Sequence, residues 1–420
     1  MKRRTLLIGG VAAAAAAWYG KPRDEGGPYT DYFRALNDEL KQHGPMRPMM
    51  IVDLDLLDRN IEALRASIRA PKHFRVVAKS LPSLRLIEHV FAKAETTRAM
   101  SFHQPFLSRL AQALPKSDIL LGKPLPAGSA KIFYERHEGA FDPARQLQWL
   151  IDTPERLDQY LQVAQSVGTK LRVNVEIDVG LHRGGAADER ELDAVLAKIE
   201  ANADRAEFAG FMGYDPHVVK LPRLTGSVDD HFAKSMAAYQ RFVDFTKSRH
   251  AKLWHDDLTL NGAGSPTYRL HEKETLTNDL AVGSGLVKPT DFDLATLAEH
   301  VPASFIATPV LKAREGLFLP GLENLSGALS WWDPNQARTF FLYGGYWMAK
   351  YESPKGLRSN PLFGHSSNQE MANGSHAVGI GVDDHVFLRP KQSEAVFLQF
   401  GDLVVVRGGK IVDAWPVLPA

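Results

Sequence analysis

A lysine, an arginine, a tyrosine with a nearby histidine, and two glycine-rich loops occur in that order along the chain. Lys79 follows the apolar run 74–78, an arrangement that sets its amine at the C-terminal end of a strand. An amine there can form a Schiff base with a carbonyl compound. Arg183 lies in Val175-Glu176-Ile177-Asp178-Val179-Gly180-Leu181-His182-Arg183-Gly184-Gly185, and its guanidinium stays protonated at any working pH. Tyr214 and His217 end Gly210-Phe211-Met212-Gly213-Tyr214-Asp215-Pro216-His217, and a histidine can move protons near neutrality. Asn261-Gly262-Ala263-Gly264-Ser265-Pro266-Thr267 and Gly283-Ser284-Gly285 are loops whose glycines let backbone amides close around an anion. Taken singly, each has an ordinary structural explanation. A lysine at a strand end is usually solvated, Arg183 pairs equally well with Glu176 or Asp178, a lone histidine is usually structural, and Gly-Ser turns are common.

The elements that must position these residues alternate. Residues 49–55 read as a buried strand, and Leu57, Ile61, Leu64 and Ile68 follow at helical spacing. The pattern repeats with strands at 74–78, 119–121, 149–151, 171–177, 206–212, 257–260 and 280–282, separated by helical stretches. About eight short strands between helices predict a parallel (β/α)8 barrel, whose active sites sit at the C-terminal strand ends and whose last two loops commonly bind phosphate. From residue 304 onward the runs 305–311, 339–343, 385–388, 403–407 and 410–415 are strand-like, and Arg407-Gly408-Gly409-Lys410 is a hairpin turn signal. The stretch 314–381 has little periodicity and reads as a lid or as variable loops. The expected organisation is a leader and linker over 1–28, a barrel over 29–303 and a C-terminal β-domain over 304–420, with residues just before Met49 as candidates to join that domain.

Fifty Lys and Arg stand against 49 Asp and Glu, so no basic stripe points to nucleic acid. The target is expected to be a small molecule. No cysteine is present, which excludes disulfides, thiolate nucleophiles and thiolate zinc sites. The start of the chain, with Arg3-Arg4-Thr5-Leu6-Leu7 and an apolar run to Trp18, reads as a twin-arginine-type export signal. That run is too short to span a bilayer comfortably, so periplasmic delivery without a stable membrane span is expected.

The chain resembles the D-threonine aldolase and D-serine dehydratase family, pyridoxal-phosphate enzymes on an alanine-racemase-like barrel. The resemblance rests on Val52-Asp53-Leu54-Asp55 with Asn60, on Ala78-Lys79, on the segment ending in Arg183, on Tyr214 with His217, and on the two late loops. It implies that Lys79 carries pyridoxal 5'-phosphate, that Arg183 faces the pyridine nitrogen and that Tyr214 lies beside cofactor or substrate. It further implies phosphate binding by Gly262, Gly264, Ser265, Thr267, Gly283, Ser284 and Gly285. Catalytic roles then fall to Lys79, Tyr214 and His217, acting on a D- or β-hydroxy amino acid, and homodimers are expected.

Family members of the aldolase and dehydratase kind carry a metal site in a P-x-H-x-C or P-x-H-x-D segment. Here Pro390-Lys391-Gln392-Ser393-Glu394 puts Gln392 and Glu394 at those places. Two oxygen donors suit Mg²⁺ or Mn²⁺ rather than zinc, and the loss of the softer ligands equally fits side chains that only form hydrogen bonds. The expected reaction is retro-aldol cleavage. Dehydration of a D-serine-like substrate, racemisation, and a catalytically inactive periplasmic binder of the cofactor are the alternatives.

Overall fold

The computed structural model describes residues 21–273, 276–317, 321, 326–360 and 362–419. Residues 1–20, on which the expectation of an export signal falls, lie outside the described residues. Two compact units are interleaved in the chain, and each is taken by itself.

The larger unit comprises 52–303 with 392–403 and 414–420. Numbering strands along the chain, β1 (Met49–Asp53) precedes the barrel. The barrel is β2 (His73–Val77), β3 (Arg98–Ser101), β4 (Asp118–Leu121), β5 (Leu147–Ile151), β6 (Leu171–Glu176), β7 (Ala206–Gly213), β8 (Thr259–Gly262) and β9 (Asp279–Val282), closed by β9 on β2. Every neighbouring pair is parallel. The connecting helices form where the sequence supplies an apolar stripe and a cap. Helix Leu54–Ser67 buries Leu57, Ile61 and Leu64, and its Asp53 cap accepts the amides of Asp55 and Leu56. Helix Val228–Arg249 opens with a capping box between Ser227 and Asp230.

At the N-terminal end of the barrel the seam is held by charge. Asp279 on β9 accepts from Arg75 on β2 at 2.7 and 2.9 Å, from Arg98 at 3.0 Å and from Asn261 at 2.7 Å. Both Arg75 and Asp279 are fully buried.

The expected strand list needs two corrections. Met49–Asp53 is not a barrel strand; it lies between β10 and β16 in the sheet of the other unit. Its five residues are all buried, so an apolar run marked a strand covered on both faces without telling which sheet it joins. The strand missed was β3, Arg98-Ala99-Met100-Ser101, because only two of its four residues are apolar.

The smaller unit gathers, of the described residues, 21–51, 304–391 and 404–413. Its nine-stranded sheet contains β10 (Ser304–Glu315), β11 (Arg338–Leu342), β12 (Ala349–Ser353), β13 (Arg358–Ser359), β14 (Met371–Gly374), β15 (His385–Pro390), β16 (Leu403–Arg407) and β17 (Lys410–Trp415) with β1. The main path runs β13-β14-β11-β10-β1-β16-β17, and β15 pairs with both β10 and β12. Gly408 and Gly409, at φ 57° and 72°, make the expected tight turn between β16 and β17. The aperiodic stretch 314–381 supplies β11 to β14 rather than a structureless lid. A boundary at residue 29 is thus too early for the barrel. Residues 392–403 and 414–419 return to the barrel unit rather than ending a separate C-terminal domain, and the Leu418 amide donates to the Pro82 carbonyl at 2.7 Å.

Candidate active site

A cavity of about 450 Å³ opens at the C-terminal ends of the barrel strands, a size suited to a cofactor and a small substrate. Lys79 enters it from a 3-10 turn, Ala78–Ser80, directly after β2. Its Nζ sits 4.5 Å from the centre of the Phe102 ring and 3.3 Å from Glu394 Oε1. Glu394 comes from the segment 392–403 that returns to the barrel unit. Its Oε2 accepts from the hydroxyls of Ser284 and Ser393, each at 3.1 Å, and Ser284 Oγ lies 3.0 Å from Ser80 Oγ. Burial works against a charge on Glu394, yet Lys79 and the Ser284 hydroxyl hold it below the ordinary carboxylate range.

The two late loops are stitched together by side chains. Ser265 Oγ accepts the amides of Gly283 at 3.2 Å and Gly285 at 2.9 Å. The Gly264 amide donates to Thr267 Oγ1 at 3.1 Å, and that hydroxyl donates to Asp215 Oδ1 at 2.6 Å. Asp215 also meets His271 at 2.8 Å. The glycine amides are therefore used within the loops, while the Ser265 and Ser284 amides have no acceptor among the described residues and remain available to an anion. Gly264, Ser265, Gly283 and Ser284 line the cavity; Gly262, Thr267 and Gly285 do not and serve the loops' packing instead. A Cβ on Gly283 would lie 2.7 Å from Val77 Cβ, and one on Gly264 would lie 2.5 Å from Tyr214 Cε2, so both positions need glycine.

Arg183 and Tyr214 share one wall, with the guanidinium carbon 4.9 Å from the centre of the tyrosine ring. Asp178 does not compete for this arginine, because its oxygens accept the amides of Gly180 and His182 and pair with the His182 ring at 2.6 Å. Burial pushes the Tyr214 hydroxyl up to about 12.

His217 is a correction. It does not line the cavity; its Nε2 lies 3.3 Å from Ser235 Oγ and against Gly180, and its Nδ1 is buried without a partner among the described residues. The 3-10 turn Pro216–Val219 carries the ring away, and burial keeps its pKa below the usual histidine value. Gln392 and Glu394 do not act together either. Gln392 donates to Asp291 Oδ2 at 3.1 Å while Glu394 faces Lys79, and among the described residues no group of three or more His, Asp or Glu is placed to hold a metal.

The motifs also passed over two carboxyl groups. Ile151 pairs with Val175 across β5 and β6, so the next residues, Asp152 and Glu176, are neighbours at the strand ends, and both line the cavity. Burial pushes Glu176 up to about 7, against the opposing charge of Arg183 and with help from Asp152. A carboxylate directly after the strand 149–151 and another within the expected strand 171–177 were the available signal.

An amine in a cavity with a glycine-lined loop pair and free amides fits pyridoxal phosphate. Residues 52–290 match the description "Alanine racemase, N-terminal domain". The chain belongs to this family. Its enzymes use pyridoxal phosphate, and the fold is theirs. The D-threonine aldolase from Filomicrobium marinum superposes with a TM-score of 0.68 at 15% identity, covering 89% of this chain and 97% of that one. The D-threo-3-hydroxyaspartate dehydratase from Delftia sp. HT23 gives the same four values. The alanine racemase from Bacillus anthracis gives a TM-score of 0.66 at 14% identity, covering 88% and 97%. No curated protein sequence matches the chain. At these identities the solved structures show the fold, not the reaction. Among the described residues no helix is long and apolar enough to cross a membrane.

Proposed function

We propose that this family member is a pyridoxal-phosphate-dependent lyase that cleaves D- or β-hydroxy amino acids to an aldehyde and a smaller amino acid. The observation that carries the reading is the Lys79 amine, 3.3 Å from the Glu394 carboxylate in the cavity of the barrel. When bound, pyridoxal phosphate supplies an electron sink for a pair left at Cα. Lys79 is the residue to bond it covalently. The Ser265 and Ser284 amides are the donors for its phosphate. Arg183, on the cavity wall, would donate to the pyridine nitrogen, which a guanidinium cannot protonate, so the sink would be milder than one paired with a carboxylate. Tyr214 packs beside it, and Gly264 lets that ring approach.

Glu176 favours one second reading. A carboxyl pushed up to about 7 carries its proton in about half of the molecules at neutral pH and can pass it to a departing hydroxide, as dehydration of a D-serine-like or D-hydroxyaspartate-like substrate requires. Racemisation would need Tyr214 as a second acid/base group, and a hydroxyl pushed up to about 12 is a poor match. Periplasmic export through the twin-arginine-type leader and assembly as a homodimer complete the proposal. A protein that elutes as a monomer at every concentration would remove the dimer.

The purified protein is loaded with pyridoxal phosphate and given D-threonine and D-serine. Aldehyde release supports the aldolase, and keto-acid release supports the dehydratase. Binding of the cofactor without either product leaves a non-catalytic binder.

A further inference from the structure

Retro-aldol cleavage requires a base for the β-hydroxyl proton. His217 lies outside the cavity, and Gln392 is turned to Asp291, so neither a histidine there nor a Gln392–Glu394 metal pair supplies it. Glu394 is differently placed. Its Oε2 is tethered by the Ser284 and Ser393 hydroxyls, which leaves Oε1 directed at Lys79 Nζ, 3.3 Å away. A substrate amine that takes the place of Nζ, 3.3 Å from Oε1, would carry its β-oxygen three bonds from that nitrogen, on a group with this carboxylate as its neighbour.

We propose that Glu394 Oε1 is the base that takes the β-hydroxyl proton directly, an assignment that rests on the aldolase reading above. In the step the O–H proton passes to Oε1 and the oxygen's electron pair closes the aldehyde C=O. The Cα–Cβ bond breaks, and its pair stays on Cα. The proton held by Glu394 is then released to solvent while Cα takes up a proton, which completes the smaller amino acid, so no oxidant or reductant is needed. In the unloaded structure Lys79 and the Ser284 hydroxyl stabilise the Glu394 charge, and the Ser284 and Ser393 hydroxyls stay on Oε2 when the lysine amine is displaced.

The test uses the full chain loaded with pyridoxal phosphate, as wild type, Glu394→Gln and Glu394→Asp. Glutamine keeps an acceptor for Ser284 and Ser393 but cannot take the proton. Glu394→Gln is expected to retain the visible band of the lysine-bound cofactor and bind it within a few-fold of wild type. Its kcat for aldehyde release from D-threonine should fall by about 10²–10⁴-fold with little change in KM, the range of one acid–base group. Glu394→Asp should recover part of that loss. A chelator should leave wild-type turnover unchanged. Stopped-flow binding gives a readout that does not depend on turnover: wild type should bind D-threonine about tenfold more tightly than D-2-aminobutyrate, which lacks the hydroxyl, and Glu394→Ala should lose that preference.

Near-normal aldehyde release by Glu394→Gln overturns the proposal. So does loss of its cofactor band, which would make the residue structural, or chelator-sensitive wild-type turnover restored by Mn²⁺. If wild type itself releases no aldehyde from any β-hydroxy amino acid, the aldolase reading falls and takes this assignment with it.

Discussion

Arg75 and Asp279 face each other across the strands that close the barrel, β2 and β9, joined by two hydrogen bonds of 2.7 and 2.9 Å with both side chains fully buried. Arg98 and Asn261 bond to the same carboxylate, so Asp279 is the hub of the seam. Removing its charge leaves Arg75 buried with half of its compensation.

Asp279→Asn is therefore expected to destabilise the barrel by about 3–5 kcal/mol, the cost of breaking a buried pair. Thermal unfolding followed by circular dichroism reads it. A loss under about 1 kcal/mol would mean that the remaining contact to Asp118, at 2.7 Å, suffices for Arg75.

Glu176 makes stability depend on pH in a direction opposite to most carboxylates. Its pKa is raised from 4.5 to about 7 in the fold. Below 4.5 both states hold the proton. Between 4.5 and about 7 the unfolded chain releases it and the folded one keeps it, so stability falls as pH rises, and above about 7 the cost is constant. The cost is at most about 3 kcal/mol, and less where water in the cavity screens the charge. Glu176→Gln should match wild type near pH 4 and melt at a higher temperature than wild type at pH 8. Equal melting temperatures at pH 8 would show that Arg183 fully compensates the buried charge.

Ser265→Ala removes the acceptor shared by the Gly283 and Gly285 amides. Two buried donors are then left unmet, at about 1–3 kcal/mol each. The affinity for pyridoxal phosphate, titrated by absorbance, should drop by tenfold or more. An unchanged affinity would mean that the loops keep their shape without Ser265.

Much of the barrel was legible in the sequence because its strands are short, buried and separated by amphipathic helices with their own caps. The errors have local causes. Met49–Asp53 and a barrel strand obey the same rule of burial, and nothing in four apolar residues and a buried aspartate names their sheet. Arg98–Ser101 has too few apolar residues to stand out. The site followed the same division. Lys79, Arg183, Tyr214 and the two loops were marked by motif and converge on the cavity. His217 was misassigned because its direction is set by a single 3-10 turn. Asp152 and Glu176 were passed over because the motifs led to Arg183, although strand ends in a barrel are where such carboxylates act. Glu394 was marked as a doubtful ligand, and its closeness to Lys79 depends on a segment that returns to the barrel only in three dimensions.

The most direct measurement is the absorption spectrum of the purified protein with pyridoxal phosphate, for wild type and Lys79→Ala, followed by borohydride reduction and peptide mass spectrometry. Wild type should show the visible band of a lysine-bound cofactor and carry the reduced adduct on the peptide containing Lys79, and Lys79→Ala should show neither. A wild type without the band, or an adduct on another lysine, would contradict the assignment of Lys79 and the lyase built on it.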